Sequence, residues 1–217
     1  LELKKFSIIE QRCVHSQLKE NGLKNLKLKA KFIYLISPNK IYHHFYDDLR
    51  TVLKTKKVKF FQLRLKKISK KKILLFSKKI KKICKTFKVK FIINDDPYIA
   101  KIIGADGCHL GQSDMNIKKA RQVLKNKIIG ITCNNSIKNA RNAIKNQADY
   151  IALGAFNSSK TKNVKYRATI KDLKSFRKIT NKPIVAIGGI NQYNYKKLLL
   201  NRADFLAISG FIWNNKK

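Results

Sequence analysis

Eight short apolar runs, each followed by a helix-length amphipathic stretch, constrain this chain more than any other feature. The runs are Lys31–Ser37, Val58–Leu65, Val89–Asn94, Gly107–Gly111, Ile128–Thr132, Tyr150–Gly154, Pro183–Gly188 and Phe205–Ser209. They are rich in β-branched and aromatic residues and nearly continuous, as expected of strands buried on both faces. Between them, helices are expected at Tyr42–Lys54, Ser69–Phe87, Pro97–Ile103, Ile117–Lys125, Ser136–Asn146, Ile170–Thr180 and Tyr193–Leu200, with a short one at Phe211–Lys217. Strict βα alternation makes a parallel sheet, and eight units in 217 residues predict a closed (β/α)8 barrel. The barrel is expected over residues 31–217 as a catalytic domain. Residues 1–30, with one helix-compatible stretch at Ser7–Leu18, form an N-terminal extension with no recognisable site.

A weak internal repeat agrees with this architecture. Ala105-Asp106-Gly107, Ala148-Asp149-Tyr150 and Ala203-Asp204-Phe205 each enter a strand, at spacings of 43 and 55 residues that fit two βα units. Lying at strand entrances, these aspartates are expected to serve turns at the barrel end opposite the active site.

The formal charge of +38 invites a nucleic-acid reading, but only eight of the fifty basic residues are Arg, the residue best suited to phosphate forks and base edges. Lys70, Lys71, Lys72, Lys78, Lys79, Lys81, Lys82 and Lys85 alternate with Ile73, Phe76, Ile80, Ile83, Cys84 and Phe87 at helical spacing. They form the wet face of an amphipathic helix, so only non-specific, salt-sensitive attraction to polyanions is expected, and no specific nucleic-acid partner. No run approaches the ~18 apolar residues of a membrane span. Glu2, Lys4, Lys5 and Glu10 interrupt any leader-like core, and Cys13, Cys84, Cys108 and Cys133 form no C-x-x-C pair. The expectation is a cytoplasmic protein with reduced thiols and no structural zinc.

Chemistry should sit where strands end. Phe91-Ile92-Ile93 stops on Asn94-Asp95, and the next strand runs into Gly111-Gln112-Ser113-Asp114. Two carboxylates at such positions can converge on a hard cation with oxygen ligands, such as magnesium; the alternative is that each caps a helix or closes a turn. On the second strand, Gln62, Arg64 and Lys66 share one side, the barrel interior, where unpaired cations make sense beneath an anionic ligand; the alternative is an exposed edge strand of alternating charge. Gly188-Gly189 and Ser209-Gly210, after the seventh and eighth strands, suit close approach of backbone N–H groups to a phosphate. The loop Ala155–Lys162 carries hydroxyls and lysines suited to covering a phosphorylated substrate.

Taken together, Gln-x-Arg-x-Lys, Asn94-Asp95, the Gly-Ala-Asp-Gly-x-His-x-Gly-Gln-x-Asp stretch, the Thr161-Lys162 loop and Ile-Gly-Gly-Ile resemble thiamine phosphate synthase over residues 31–210, in order and spacing. The resemblance implies a TIM barrel that joins hydroxymethylpyrimidine diphosphate to a thiazole phosphate and releases pyrophosphate. It implies that Gln62, Arg64, Lys66, Asn94, Thr132 and Lys162 hold the pyrimidine diphosphate, with Arg64, Lys66, Thr132 and Lys162 as the catalytic set. Asp95 and Asp114 would bind Mg2+; Ser159, Thr161, Gly189, Ile208 and Ser209 would meet the thiazole phosphate. The partners implied are thus small phosphorylated substrates. The sequence departs from the family at Ala155 and Lys160, where proline is usual, at Ser159, where threonine is usual, and at Thr132-Cys133-Asn134, where Ser-x-His is common. A thiazole tautomerase-like barrel is the nearest alternative; it would not need the full set, and Asn134 lacks the histidine such an enzyme would use.

Overall fold

The computed structural model describes residues 31–157 and 167–214. Its strands are β1 (Ile33–Ile36), β2 (Val58–Leu63), β3 (Lys90–Asn94), β4 (Gly107–Leu110), β5 (Ile128–Asn134), β6 (Tyr150–Gly154), β7 (Ile184–Ile187) and β8 (Phe205–Ile208). They close into a parallel barrel in sequence order, β8 pairing with β1 through Ile33↔Leu206 and Leu35↔Ile208. Among the described residues the helices are α1 (Phe45–Lys54), α2 (Lys70–Thr86), α3 (Pro97–Ile102), α4 (Ile117–Leu124), α5 (Ile137–Lys145), α6 (Ile170–Ile179), α7 (Tyr195–Leu200) and α8 (Gly210–Trp213). None is long and apolar enough to cross a membrane.

The period-two alternation of strands separates two cores. Tyr34, Phe60, Ile92, Tyr150, Val185 and Phe205 fill the barrel interior. Their chain neighbours Ile33, Leu35, Phe61, Phe91, Ile151 and Leu206 face the helices in the larger outer layer. The apolar face of α2 buries Ile80, Ile83 and Cys84, while Lys71, Lys78, Lys79 and Lys82 are exposed.

The repeated aspartates are structural in the same way three times. The backbone N–H groups of Asp106, Asp149 and Asp204 donate to the carbonyls of Phe91, Ile129 and Ile184. Each carboxylate accepts an N–H from that same residue, at 2.9, 2.8 and 2.9 Å. Each also meets a cation: Lys90, Arg121 and Arg177 respectively. Because each links the start of an odd strand to the entrance of the next even one, these clasps brace the N-terminal end of the barrel.

The other end is closed differently. Trp213 on α8 packs against Phe45 with its ring tilted and the centroids 5.5 Å apart, and its Nε1–H donates to the Ile36 carbonyl at 2.6 Å. The Ser209 hydroxyl donates to the Ser37 carbonyl at 3.1 Å, and the buried Ser37 hydroxyl accepts the Arg64 N–H at 2.9 Å. A four-residue helix is therefore enough to seal the seam between β8 and β1.

Two of the boundary differences from the sequence reading bear on the site. Strand β2 ends at Leu63, so Lys66 lies beyond the strand and not in its alternation. Strand β5 continues to Asn134 through a bulge at Cys133, whose side chain is buried on the helix side while Asn134 takes φ 53°. Asn tolerates that left-handed conformation better than most residues, which is how the strand is carried past Thr132.

Candidate active site

The C-terminal ends of β2, β3, β4 and β5 gather the polar residues expected there. Asp95 sits just past β3 with φ 66°, its N–H bonded to the His109 carbonyl at 2.8 Å. It does not cap the next helix: Asp96 does, accepting the Ile99 N–H at 3.0 Å ahead of Pro97. That division of labour leaves the Asp95 carboxylate free for the site, where it pairs with the Lys66 ammonium. Lys66 thus reaches the site from a loop, and its charge is matched by Asp95 rather than standing uncompensated in the barrel.

Asp114 does close a turn, with one oxygen accepting the Gly111 N–H at 2.6 Å, while Asn116 caps α4. Burial raises its pKa above the ordinary carboxylate value; the Gly111 N–H opposes this, and the nearby Asp95 charge adds to it. Two carboxylates held against their mutual repulsion are a donor set that a hard cation would relieve. Among the described residues no cluster of three metal-ligating side chains occurs, so such a cation would rely on these two aspartates and on substrate or water oxygens.

Gln62 faces the interior, 2% exposed, and its Nε2 has no hydrogen-bond partner among the described residues. A buried orphan donor costs ~1–3 kcal/mol and marks a place where a ligand acceptor is expected. Arg64, one step nearer the mouth, is half-buried, with no carboxylate partner for its guanidinium among the described residues. Asn94, also half-buried, stands beside His109 in the β3–β4 register. Thr132 projects from β5; its hydroxyl lies 2.9 Å from His109 Nε2, and its carbonyl accepts from Gln112 Nε2 at 2.5 Å.

On the opposite side, Gly188 and Gly189 adopt φ of 106° and 56°. A Cβ at Gly188 would lie 2.3 Å from Ala155 Cβ, so only glycine lets the β6 loop pack on this turn. The Phe156 and Asn157 N–H groups donate to Ile187 and Gly188 at 3.0 and 3.2 Å. Two expected contacts are narrower than the sequence suggested. Ile208 is fully buried in the outer layer, which leaves only its backbone for a ligand, and the Ser209 hydroxyl is engaged with Ser37. Ser159, Thr161 and Lys162 lie outside the described residues. None of the three thiols among the described residues is available as a nucleophile here, since burial pushes Cys84 and Cys108 up and Cys133 to about 12.

A model of the thiamine monophosphate synthase family matches residues 33–212. The chain belongs to that family. The thiamine-phosphate synthase of Pelagibacter ubique is 64% identical over 196 residues, 90% of this chain and 95% of its own. That of Fusobacterium nucleatum is 43% identical over 172 residues, covering 78% and 82%. The solved thiamine phosphate pyrophosphorylase from Pyrococcus furiosus superposes with a TM-score of 0.74 at 25% identity, covering 83% of this chain and 86% of that one.

The sequence reading overlooked an interior row of polar groups in this barrel. His109 Nδ1 lies 2.9 Å from the Tyr150 hydroxyl, which lies 2.7 Å from that of Tyr34. The signal was present: His109 alternates with the outward-facing Cys108 and Leu110 on β4. Tyr150 could not be foreseen from β6 alone, because it needs the space left by Gly130, where a Cβ would fall 1.8 Å from the Tyr150 ring.

Proposed function

We propose that this chain catalyses the thiamine-phosphate synthase reaction, joining 4-amino-2-methyl-5-(diphosphooxymethyl)pyrimidine to a thiazole phosphate with release of pyrophosphate. Membership of the family makes it an enzyme of the transferase class, as its curated relatives are named. The observation that carries the substrate reading is the pairing of a buried donor, Gln62 Nε2, with the Arg64 guanidinium, neither of them partnered among the described residues, below two converging carboxylates. Such a mouth suits a polar ring extended by a diphosphate.

In this reading Gln62 and Asn94 orient the pyrimidine diphosphate, and Arg64, Lys66 and Thr132 meet its phosphate oxygens, with Lys162 joining them from the loop. Magnesium, held by Asp95 and Asp114, would supply further charge neutralisation to the leaving diphosphate. Arg64 and the lysines stabilise charge as the C–O bond breaks, its electron pair leaving with pyrophosphate. The pyrimidine cation is then captured by the thiazole nitrogen lone pair, forming the C–N bond. The turns at Gly189 and Ser209, with Ile208 through its backbone and Ser159 and Thr161 from the loop, hold the thiazole phosphate within reach. No protein nucleophile takes part, in keeping with the buried, protonated thiols.

Arg64→Met tests the assignment. It should raise the concentration of pyrimidine diphosphate needed for saturation, or lower the maximal rate, with thiazole-phosphate binding little changed. A variant whose only defect is in thiazole-phosphate affinity would contradict the placement.

A further inference from the structure

The interior row Thr132–His109–Tyr150–Tyr34 has a direction, and the direction is fixed by its buried end. Every link could in principle run either way, since hydroxyls and imidazole nitrogens both donate and accept. Tyr34 is buried, 2% exposed, and its hydroxyl meets a single hydrogen-bonding group among the described residues, the Tyr150 hydroxyl. If the row ran inward, from Thr132 to His109 to Tyr150, the one contact between the two phenols could use only one of their protons, and the other, on Tyr34 or on Tyr150, would be left buried without an acceptor. An imidazolium would leave the same orphan proton and bury a charge as well. If the row runs outward, Tyr34 donates to Tyr150, Tyr150 donates to His109 Nδ1, and His109 Nε2–H donates to Thr132 Oγ1. Only an unfilled lone pair on Tyr34 then remains, and an orphan acceptor is the commoner and milder defect. Burial keeps both phenols protonated, so neither can relieve an orphan proton by losing it.

We infer that His109 is a positioning residue: held as the neutral Nε2–H tautomer by Tyr34 and Tyr150, it donates to the Thr132 hydroxyl and leaves that hydroxyl's proton as a donor for an anionic ligand. The Thr132 proton is therefore available to a ligand oxyanion instead of being spent on the imidazole. Gly130 belongs to the device, because its missing side chain is the space that brings the Tyr150 ring to His109. The inference deepens the diphosphate reading above and rests on it only for the identity of the ligand.

The test uses the intact protein labelled with [15N]histidine, without substrates. The chain has four histidines, and His109 is assigned by the resonance lost in His109→Gln. Long-range proton–nitrogen correlation at neutral pH should show a protonated Nε2 and a bare, hydrogen-bonded Nδ1. Tyr150→Phe should move the Nδ1 resonance to that of a free ring nitrogen while Nε2 stays protonated. A protonated Nδ1 in the parent protein, or an Nδ1 resonance indifferent to Tyr150→Phe, overturns the directed row. Inorganic pyrophosphate then probes the donor. Thr132→Val should weaken its binding about tenfold, the worth of one hydrogen bond to a charged group, and Thr132→Ser should restore it. Equal affinity in the Val and Ser variants overturns the role given to the hydroxyl. The correlation spectrum is independent of turnover, so failure of the synthase reading and failure of this inference are told apart.

Discussion

Replacing Gln62 by Met should make the protein more stable and the enzyme worse. Gln62 is 2% exposed on β2, and its Nε2 donor has no partner among the described residues. Removing an unsatisfied buried donor recovers up to ~1–3 kcal/mol, and Met is close to Gln in length and shape, so little packing is lost. A net gain of about 1–2 kcal/mol corresponds, for a domain of this size, to a rise in Tm of roughly 2–8 °C. The same donor is assigned to the pyrimidine diphosphate, and a lost hydrogen bond of ~1.5–3 kcal/mol costs about 10- to 150-fold in kcat/KM for that substrate. Thermal unfolding without ligands and steady-state kinetics on the two proteins read both effects. A variant that is less stable yet turns over normally would refute the reasoning, since the amide would then be serving the fold and not the ligand.

Asp114→Asn keeps an oxygen for the Gly111 N–H but removes a charge facing Asp95. Because the folded pKa of Asp114 is raised, ionising it costs the folded state stability as pH rises past the unfolded value of about 3.9. Thermal unfolding from pH 3.5 to 7.5 should therefore show the variant gaining on the parent as pH rises, and magnesium raising the Tm of the parent only, most at neutral pH. Equal magnesium responses would count against the two-carboxylate site. Asp204→Ala cuts the Arg177 pair and strands the Ile184 N–H at the far end of the barrel. Removing one partner of a largely buried pair should lower stability by about 2–4 kcal/mol, seen as a fall in denaturation midpoint, while kcat below the transition is unchanged. A changed kcat with normal stability would mean the clasp is not merely structural.

The barrel was legible because its signal is repeated: each strand is a short apolar run, each helix an amphipathic stretch, and errors at single boundaries do not alter the count. The paired aspartates were legible for a local reason, since a carboxylate one step beyond a buried strand has few places to go. What sequence could not separate was Asp95 from Asp96, because capping depends on the backbone turn at φ 66° that hands the helix to the second of the two. Lys66 was placed on the strand by its spacing, whereas the strand stops at Leu63 and the lysine arrives through an ion pair. The His109 row needed three strands brought together and a hole at Gly130, a long-range coincidence with no signature in any one segment. Ile208 and Ser209 were assigned by position after the last strand, and only packing reveals that one faces the helices and the other spends its hydroxyl on Ser37.

The central claim is that this barrel makes a C–N bond at the expense of a C–O bond to diphosphate. Mass spectrometry of the purified chain incubated with the pyrimidine diphosphate, thiazole phosphate and magnesium tests it most directly. Thiamine phosphate and pyrophosphate should form in equal amounts, with none when either substrate is omitted and strong suppression by EDTA. Thiamine phosphate formed equally well in EDTA would contradict the role of Asp95 and Asp114. No thiamine phosphate from both substrates with magnesium present would contradict the account as a whole.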